Sequence, residues 1–541
     1  MSETESTGSK KREAYTQESL DNGEKNIQEK DAGVTNIEVY TEQYSGLVHR
    51  AALFISIFLI AYVYGLDGMI RYTFQYQATS SYQEHSLLST VNCIKTVIGA
   101  AGQLWFARAS DIFGRASILC VGLVCYIVGT IIESQATDIS KFAAGACIYQ
   151  LGLTGVQLML EVIAMDFSNL NWRLFASFVP ALPFIINTWI SGNITAAIGT
   201  RWSWGIGMWA FILPLSCIPL GLCMLHMRYL ARKNASDRLR SEFKLYKQMS
   251  WCDYIVEIFF WRLDILGLLL VCAVFGCILV PLTLAGGFST EWQSARIIVP
   301  EVIGWVVALP LLLVWEAKFA RHPLVAWDLI KDRGILAALI IAFHINFNWY
   351  MQGDYMYTVL QVAVNESVLS ATRITSLYSF VSVITGTILG LVIVKARRTK
   401  PFIIFGIGCW FISFGLLVHF RGDSGSHSGI IGSLCLLGFG AGFFTYTTQA
   451  SIQASTKSHS RMAVVTALYL SVYSIGSAVG SAVSGAIWTN ILPREINKTI
   501  DSTIAPIAYG SPTTFILEYP WGTPAREALV VAYRYVQKIL C

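Results

Sequence analysis

The strongest constraint on this chain is a series of apolar runs, most of them roughly 18–25 residues long, that recur at short intervals from residue 52 onward. An α-helix rises about 1.5 Å per residue, so about twenty apolar residues cross a hydrocarbon core of about 30 Å. A helix is also a structure that satisfies its own backbone polar groups in lipid. The runs fall at 52–69, 86–106, 116–133, 142–165, 174–195, 204–227, 263–284, 297–316, 334–352, 373–394, 401–420, 429–447 and 462–491. About thirteen membrane helices are therefore expected in an all-α membrane protein. Composition agrees: 54% of residues are hydrophobic and 13% charged, against about a quarter charged in soluble domains. That balance excludes an ordinary soluble enzyme, and no nucleic-acid partner is expected.

Loop charges orient the chain. Residues 1–50 are polar, lack the apolar core of a signal peptide, and read as a disordered cytosolic tail. With that tail inside, the cytosolic connections carry clusters: Arg108 with Arg115; Arg228, Arg232, Lys233, Arg238 and Arg240; Lys395, Arg397, Arg398 and Lys400. Arg173, the set Lys318, Arg321, Lys331 and Arg333, and the pair Lys457 and Arg461 continue the series, while external connections hold mostly one charge each, among them Arg71, Lys141 and Arg201. The long basic connection 228–262 separates a six-helix bundle, 51–227, from the rest. Spans seven and eight with their loop, 263–333, read as an inserted pair, and 334–491 as a second bundle. A six, two, six plan of fourteen helices then lacks its last member, and 492–541 is expected to be an external tail. Asn193, Asn365 and Asn497 begin sequons on the outer side.

Ten of the twelve cysteines lie within apolar stretches and read as small core residues rather than a disulfide framework. The chain has no zinc-spaced Cys/His cluster and no GxxxxGK(S/T) loop. No metal, cofactor or enzymatic activity is expected, and uphill transport has to run on a gradient.

Between spans two and three the sequence reads Ala107-Arg108-Ala109-Ser110-Asp111-Ile112-Phe113-Gly114-Arg115. It resembles the loop signature of the major facilitator superfamily, in which such an Asp111, Gly114 and Arg115 set forms a charged cytosolic gate. Further segments are Tyr64-Gly65-Leu66-Asp67-Gly68 with Arg71-Tyr72, Phe178 to Trp189, Trp349 to Tyr357, Ala371 to Tyr378, and Gly438 to Phe444. Together these resemble the fungal siderophore-iron transporters, a fourteen-helix branch of that superfamily, over roughly residues 50–540. The resemblance implies a two-bundle fold that imports ferric siderophores, typically hydroxamates, by proton symport at the plasma membrane or from endosomal vesicles. Relatives that handle haem or exchange glutathione for protons supply an alternative. A truncated relic or membrane sensor is the reading of a different class. Arg71, Tyr72, Asn187, Trp189, Trp349, Gln352, Tyr355, Tyr357, Arg373 and Tyr378 fall in these segments and are candidates for the chelate.

The residues themselves point to a chamber. Asp67 lies in an apolar run, where a carboxylate is costly and usually pairs or titrates. Arg71 lies on the same face if the helix continues, and Lys95 is the other candidate partner. Gln150, Thr154, Gln157 and Glu161 repeat at steps of four, three and four along one helix face. Such a polar stripe faces a cavity or the bundle interior rather than lipid. Glu161 is thus a candidate for reversible protonation or for a helix-helix hydrogen bond. His344, Asn346, Trp349, Tyr350, Gln352, Asp354, Tyr355 and Tyr357 crowd span nine. They read as a vestibule for a bulky, oxygen-rich chelate or as an interface belt, with Asp354 a further proton-coupling candidate.

Overall fold

The computed structural model describes residues 39–42, 44, 46–168, 176, 178–234, 251–287, 292–321, 324, 331–396, 398–420, 424–454 and 459–541. Of the expected disordered tail (1–50) and linker (228–262), residues 1–38 and 235–250 lie outside them, as do the loop charges Arg173, Arg397 and Lys457, whereas residues 39–42, 47–50, 228–234 and 251–262 are helical.

Each apolar run holds a helix. The helices are α1 (Leu47–Ser81), α2 (Leu88–Phe113), α3 (Arg115–Ser134), α4 (Ile139–Asp166), α5 (Phe184–Ile198), α6 (Trp202–Asn234), α7 (Ile265–Leu284), α8 (Ala295–Phe319) and α9 (Arg333–Gly353). The short α10 (Met356–Val362) continues the span of α9, followed by α11 (Val368–Ala396), α12 (Lys400–His419), α13 (His427–Ala454) and α14 (His459–Thr499). Among the described residues, eleven spans are long and apolar enough to cross a membrane. The two expected spans outside that set are α2, which carries Lys95, Arg108 and Asp111, and α5, which is only 15 residues long. Pro180 and Pro183 sit in the turns before α5 and shorten it.

Several boundaries depart from the sequence reading. The first helix runs on to Ser81, well past 69, so its outer half holds Arg71, Gln75 and Thr79. Span nine breaks after Gly353, and Asp354 and Tyr355 form the joint between α9 and α10. The last helix extends to Thr499, and the expected tail folds into α15 (Ala505–Gly510), α16 (Pro512–Glu518) and α17 (Pro524–Leu540). On α17 the residues Leu529, Ala532, Tyr533, Val536 and Leu540 are buried against Trp488, Leu492 and Ile496 of α14. That 3.6-residue period is an amphipathic helix too polar to read as a span.

Close helix contacts depend on absent side chains. A Cβ on Gly129 would lie 2.1 Å from the Tyr149 nitrogen, and one on Gly152 would lie 2.2 Å from that of Tyr126. At these points α3 and α4 touch backbone to backbone, as small residues allow. Two long contacts join the halves, α2 along α14 and α5 along α11, and α7 packs on both α2 and α14. At the end opposite the α2–α3 turn, the tail reaches both halves. Ser511 Oγ donates to the Ser80 carbonyl at 2.7 Å. Arg526 donates to the carbonyls of Val362 (2.9 Å) and Gln361 (2.8 Å).

Candidate functional site

Because α1 stays helical through Asp67, Arg71 lands one turn away and the pair forms. Arg71 Nε and Nη2 donate to Asp67 Oδ1 and Oδ2 at 3.0 and 3.1 Å. Tyr126 and Tyr149 also donate to Asp67 Oδ2, at 2.5 and 3.0 Å. The guanidinium lies 3.7 Å from the centre of the Tyr149 ring, and its Nη1 donates to Glu133 Oε2 at 2.5 Å. Of the two partners considered for Asp67, Arg71 is therefore the bonded one.

Lys95 instead begins a chain of polar contacts that crosses the molecule. Its Nζ donates to Gln75 Oε1 (3.3 Å), Gln75 Nε2 to Asn92 Oδ1 (2.9 Å), and Asn92 Nδ2 to Asp354 Oδ1 (3.1 Å). Ser484 Oγ on α14 donates to Asp354 Oδ2 at 3.0 Å. The break between α9 and α10 is what lets Asp354 turn inward, a use of interrupted helices found at membrane binding sites.

Two adjoining cavities open between the halves. One, of about 280 Å³, is lined by Arg71, Tyr72, Gln75, Lys95, Tyr149, Trp349, Gln352 and Asp354, among others. The other, of about 370 Å³, takes in Gln150, Thr154, Gln157, Glu161, Asn346 and Gln449. Asn92, Lys95, Gln150, Phe184 and Tyr350 border both. The stripe on α4 thus faces a cavity along its whole length. It ends at Glu161, whose Oε1 accepts from Gln449 Nε2 of the opposite half at 2.5 Å. The helix-helix hydrogen bond expected of Glu161 is therefore also part of the cavity wall.

Other expected residues serve packing. Tyr355 is fully buried, donates to Ser89 Oγ at 2.9 Å, and stacks on Trp488 with ring centres 3.9 Å apart. Tyr357 packs edge-on against Tyr76 at 5.0 Å. Neither lines the two cavities. Asn187 Nδ2 donates to the Tyr62 carbonyl (3.0 Å), Arg373 to Asn193 Oδ1 (3.1 Å), and the half-exposed Trp189 meets Phe380. Tyr378 stands behind the wall, stacked at 4.0 Å on Trp349. At the α2–α3 turn, Arg115 Nη1 pairs with Asp111 (2.5 Å) and its Nε with Asp166 (3.4 Å), while Gly114 takes φ +86. That left-handed conformation suits glycine.

Three functional-looking residues escaped the sequence reading. Gln449 had no signal beyond its place on an apolar helix. Glu133 sits one residue from the end of α3, where it read as a loop boundary. His85 lies between α1 and α2, fully buried, with Nδ1 3.2 Å from Thr79 Oγ1 and Nε2 3.0 Å from Thr358 Oγ1 of the other half. Burial pushes its imidazole down to about 3. Among the described residues, no three His, Cys, Asp or Glu side chains gather as a metal site requires.

Two helical bundles around a shared polar chamber, with a charged turn between the second and third helices, make up the fold of the major facilitator superfamily of transporters. A crystal structure of a point mutant of the peptide transporter POT, in complex with sulfate, has this fold. It aligns at TM-score 0.52 and 14% identity, covering 86% of this chain and 94% of that one. No family profile matches the chain. Siderophore iron transporter 1 of Saccharomyces cerevisiae is 72% identical over 512 residues, which cover 94% of this chain and 82% of the relative. MFS siderochrome iron transporter C of Aspergillus fumigatus is 32% identical, over 90% of this chain and 80% of that one. Siderophore iron transporter 1 of Schizosaccharomyces pombe is 30% identical, over 93% and 80%. The chain belongs to the siderophore iron transporter family.

Proposed function

We propose that this protein is a proton-coupled importer of ferric hydroxamate siderophores, working by alternating access at the plasma membrane or an endosomal membrane. The observation that carries this reading is the paired cavity between the halves. Its walls offer amide and phenol donors from Gln75, Asn92, Gln150, Gln157 and Tyr350, beside the aromatic faces of Trp349 and Phe184. A ferric hydroxamate complex is bulky, often neutral, and presents oxygen acceptors on an apolar frame, so donors set among rings suit it. The chelate is the cargo and enters whole.

Two carboxylates sit where a proton would alter how the halves hold each other. Asp354 of the C-terminal half is held by Asn92 of the N-terminal half, and Glu161 of the N-terminal half is held by Gln449 of the C-terminal one. A hydrogen bond to an ionised carboxylate is about twice as strong as a neutral one, so protonation loosens either tie. Asp67 is placed differently, since its charge already rests on Arg71. A membrane potential contributes about 2.3 kcal/mol per charge per 100 mV, so one proton is enough to concentrate a neutral chelate.

The test is radioiron uptake from several ferric hydroxamates, with free ferric iron and haem as comparators, in transporter-deficient yeast expressing the chain. Protonophore-sensitive uptake of one chelate is expected. Well-expressed protein that moves none of them, or moves one regardless of protonophore, refutes the reading.

A further inference from the structure

Glu133 lines neither cavity, yet it is fully buried and bonded to the guanidinium that borders one of them. We propose that Glu133 is a proton-binding site of the N-terminal half, whose occupancy sets the charge that Arg71 and Lys95 present to the chamber. This rests on the proton-symport reading and deepens it.

Charge is the first argument. Asp67 and Glu133 are both 0% exposed and share one guanidinium, Arg71, itself 2% exposed. Two carboxylates and one cation leave a net −1 inside a membrane bundle, which is costly unless something neutralises it. The groups facing Glu133 are few: Arg71 and Asp67 on α1, Lys95 on α2, Cys147 and Tyr149 on α4, Tyr126 on its own helix, and Tyr82 just beyond α1. Lys95 is a second cation facing Glu133 but lies outside that trio, its Nζ turned to Gln75 on the chamber wall. A proton on Glu133 takes the cluster from −1 to 0 and leaves the ammonium free to serve the chamber. Loss of that proton draws the ammonium toward the cluster.

The oxygen inventory says which carboxylate holds it. Asp67 Oδ1 accepts from Arg71, and Oδ2 accepts from Arg71, Tyr126 and Tyr149. Glu133 Oε2 accepts from Arg71, whereas its Oε1 is buried with no hydrogen-bond partner among the described residues. A bare anionic oxygen is the most expensive atom to leave so, and a proton placed there removes the charge. Position completes the case. Glu133 is the penultimate residue of α3, at the end that the loop charges place outside, where imported protons originate.

The experiment separates two activities of the full chain reconstituted in vesicles: exchange of labelled for unlabelled ferric chelate at equal pH, and accumulation driven by a pH gradient. For E133Q the loss of gradient-driven accumulation is expected to exceed any loss of exchange at least tenfold, with E133D restoring gradient dependence. A gradient response in E133Q equal to wild type overturns the proposal. Wild type that exchanges but never responds to a gradient would instead overturn proton symport itself. Infrared difference spectra between acid and alkaline pH give a readout independent of transport. Among the protonated carboxyl bands of wild type, one is expected to shift in E133D and vanish in E133Q, and a set of bands unchanged in E133Q overturns the assignment even where that variant transports nothing.

Discussion

Acid applied to the closed molecule acts on His85 in a way whose size follows from its contacts. The Thr79 hydroxyl spends its one proton on the carbonyl of Gln75 or Tyr76, at 3.0 and 3.1 Å. The ring must therefore donate from Nδ1 to Thr79 and accept at Nε2 from the Thr358 hydroxyl. Protonating Nε2 puts a full charge in a site walled by Tyr76 and Tyr355. This is why the imidazole falls from 6.5 to about 3. A depressed histidine leaves stability whole above the unfolded value near 6.5 and loses it as pH falls toward the folded value. The slope is about 1.4 kcal/mol per pH unit, so about 2.7 kcal/mol is gone at pH 4.5. H85Q cannot charge, but it loses bonds worth about 1–2 kcal/mol at neutral pH. Thermal unfolding in detergent, followed by tryptophan fluorescence, is expected to place wild type above H85Q at pH 7.5 and level with or below it at pH 4.5. All other titrating groups cancel in the comparison. A gap between the two proteins that stays the same at both pH values refutes the reasoning.

Replacing Glu161 with Gln is expected to abolish pH-dependent accumulation while surface binding of the chelate stays largely intact; equal loss of both, measured with radioiron, would mark a purely structural residue. Tyr355→Phe removes the hydrogen bonds to Ser86 and Ser89 but keeps the stack on Trp488. Thermal stability is expected to fall by about 1–2 kcal/mol with an unchanged chelate dissociation constant, and a weakened constant would restore the vestibule reading of this tyrosine. Gly129→Val forces α3 and α4 apart where a Cβ would sit 2.1 Å from the Tyr149 nitrogen. A loss of several kcal/mol is expected, seen as a lower melting temperature and little folded protein; wild-type behaviour would contradict the described helix contact.

Much of this was legible along the chain because lipid imposes simple rules. Apolar runs of sufficient length became helices, the four-residue step from Asp67 to Arg71 became an ion pair, and the steps from Gln150 to Glu161 became a cavity wall. What stayed hidden depends on which way a residue turns at a joint. The aromatic crowd around 349–357 reads as one surface, yet the chain turns at Asp354 and Tyr355, so Trp349 and Gln352 reach the cavity while Tyr355 and Tyr357 are packed away. Glu133 and His85 were obscure for a related reason. Each lies at or just beyond a helix end, where polar residues are ordinary, and only tertiary packing makes them dry. The segment after residue 499 lacked any long apolar run, and its burial comes from one face of α17 against α14.

That last segment has its own consequence for how the molecule can open. On one side it is held to α1 by hydroxyl bonds from Ser511 and Thr513 to Ser80, each worth about 0.5–1.5 kcal/mol. On the other, a buried guanidinium grips the end of α10 and the apolar face of α17 lies against α14. In the alternating-access cycle proposed above, parting of the halves at that end would break the weaker attachment first. In that cycle the segment would stay with the C-terminal half, with Ser80 as its catch and α17 as its hinge post.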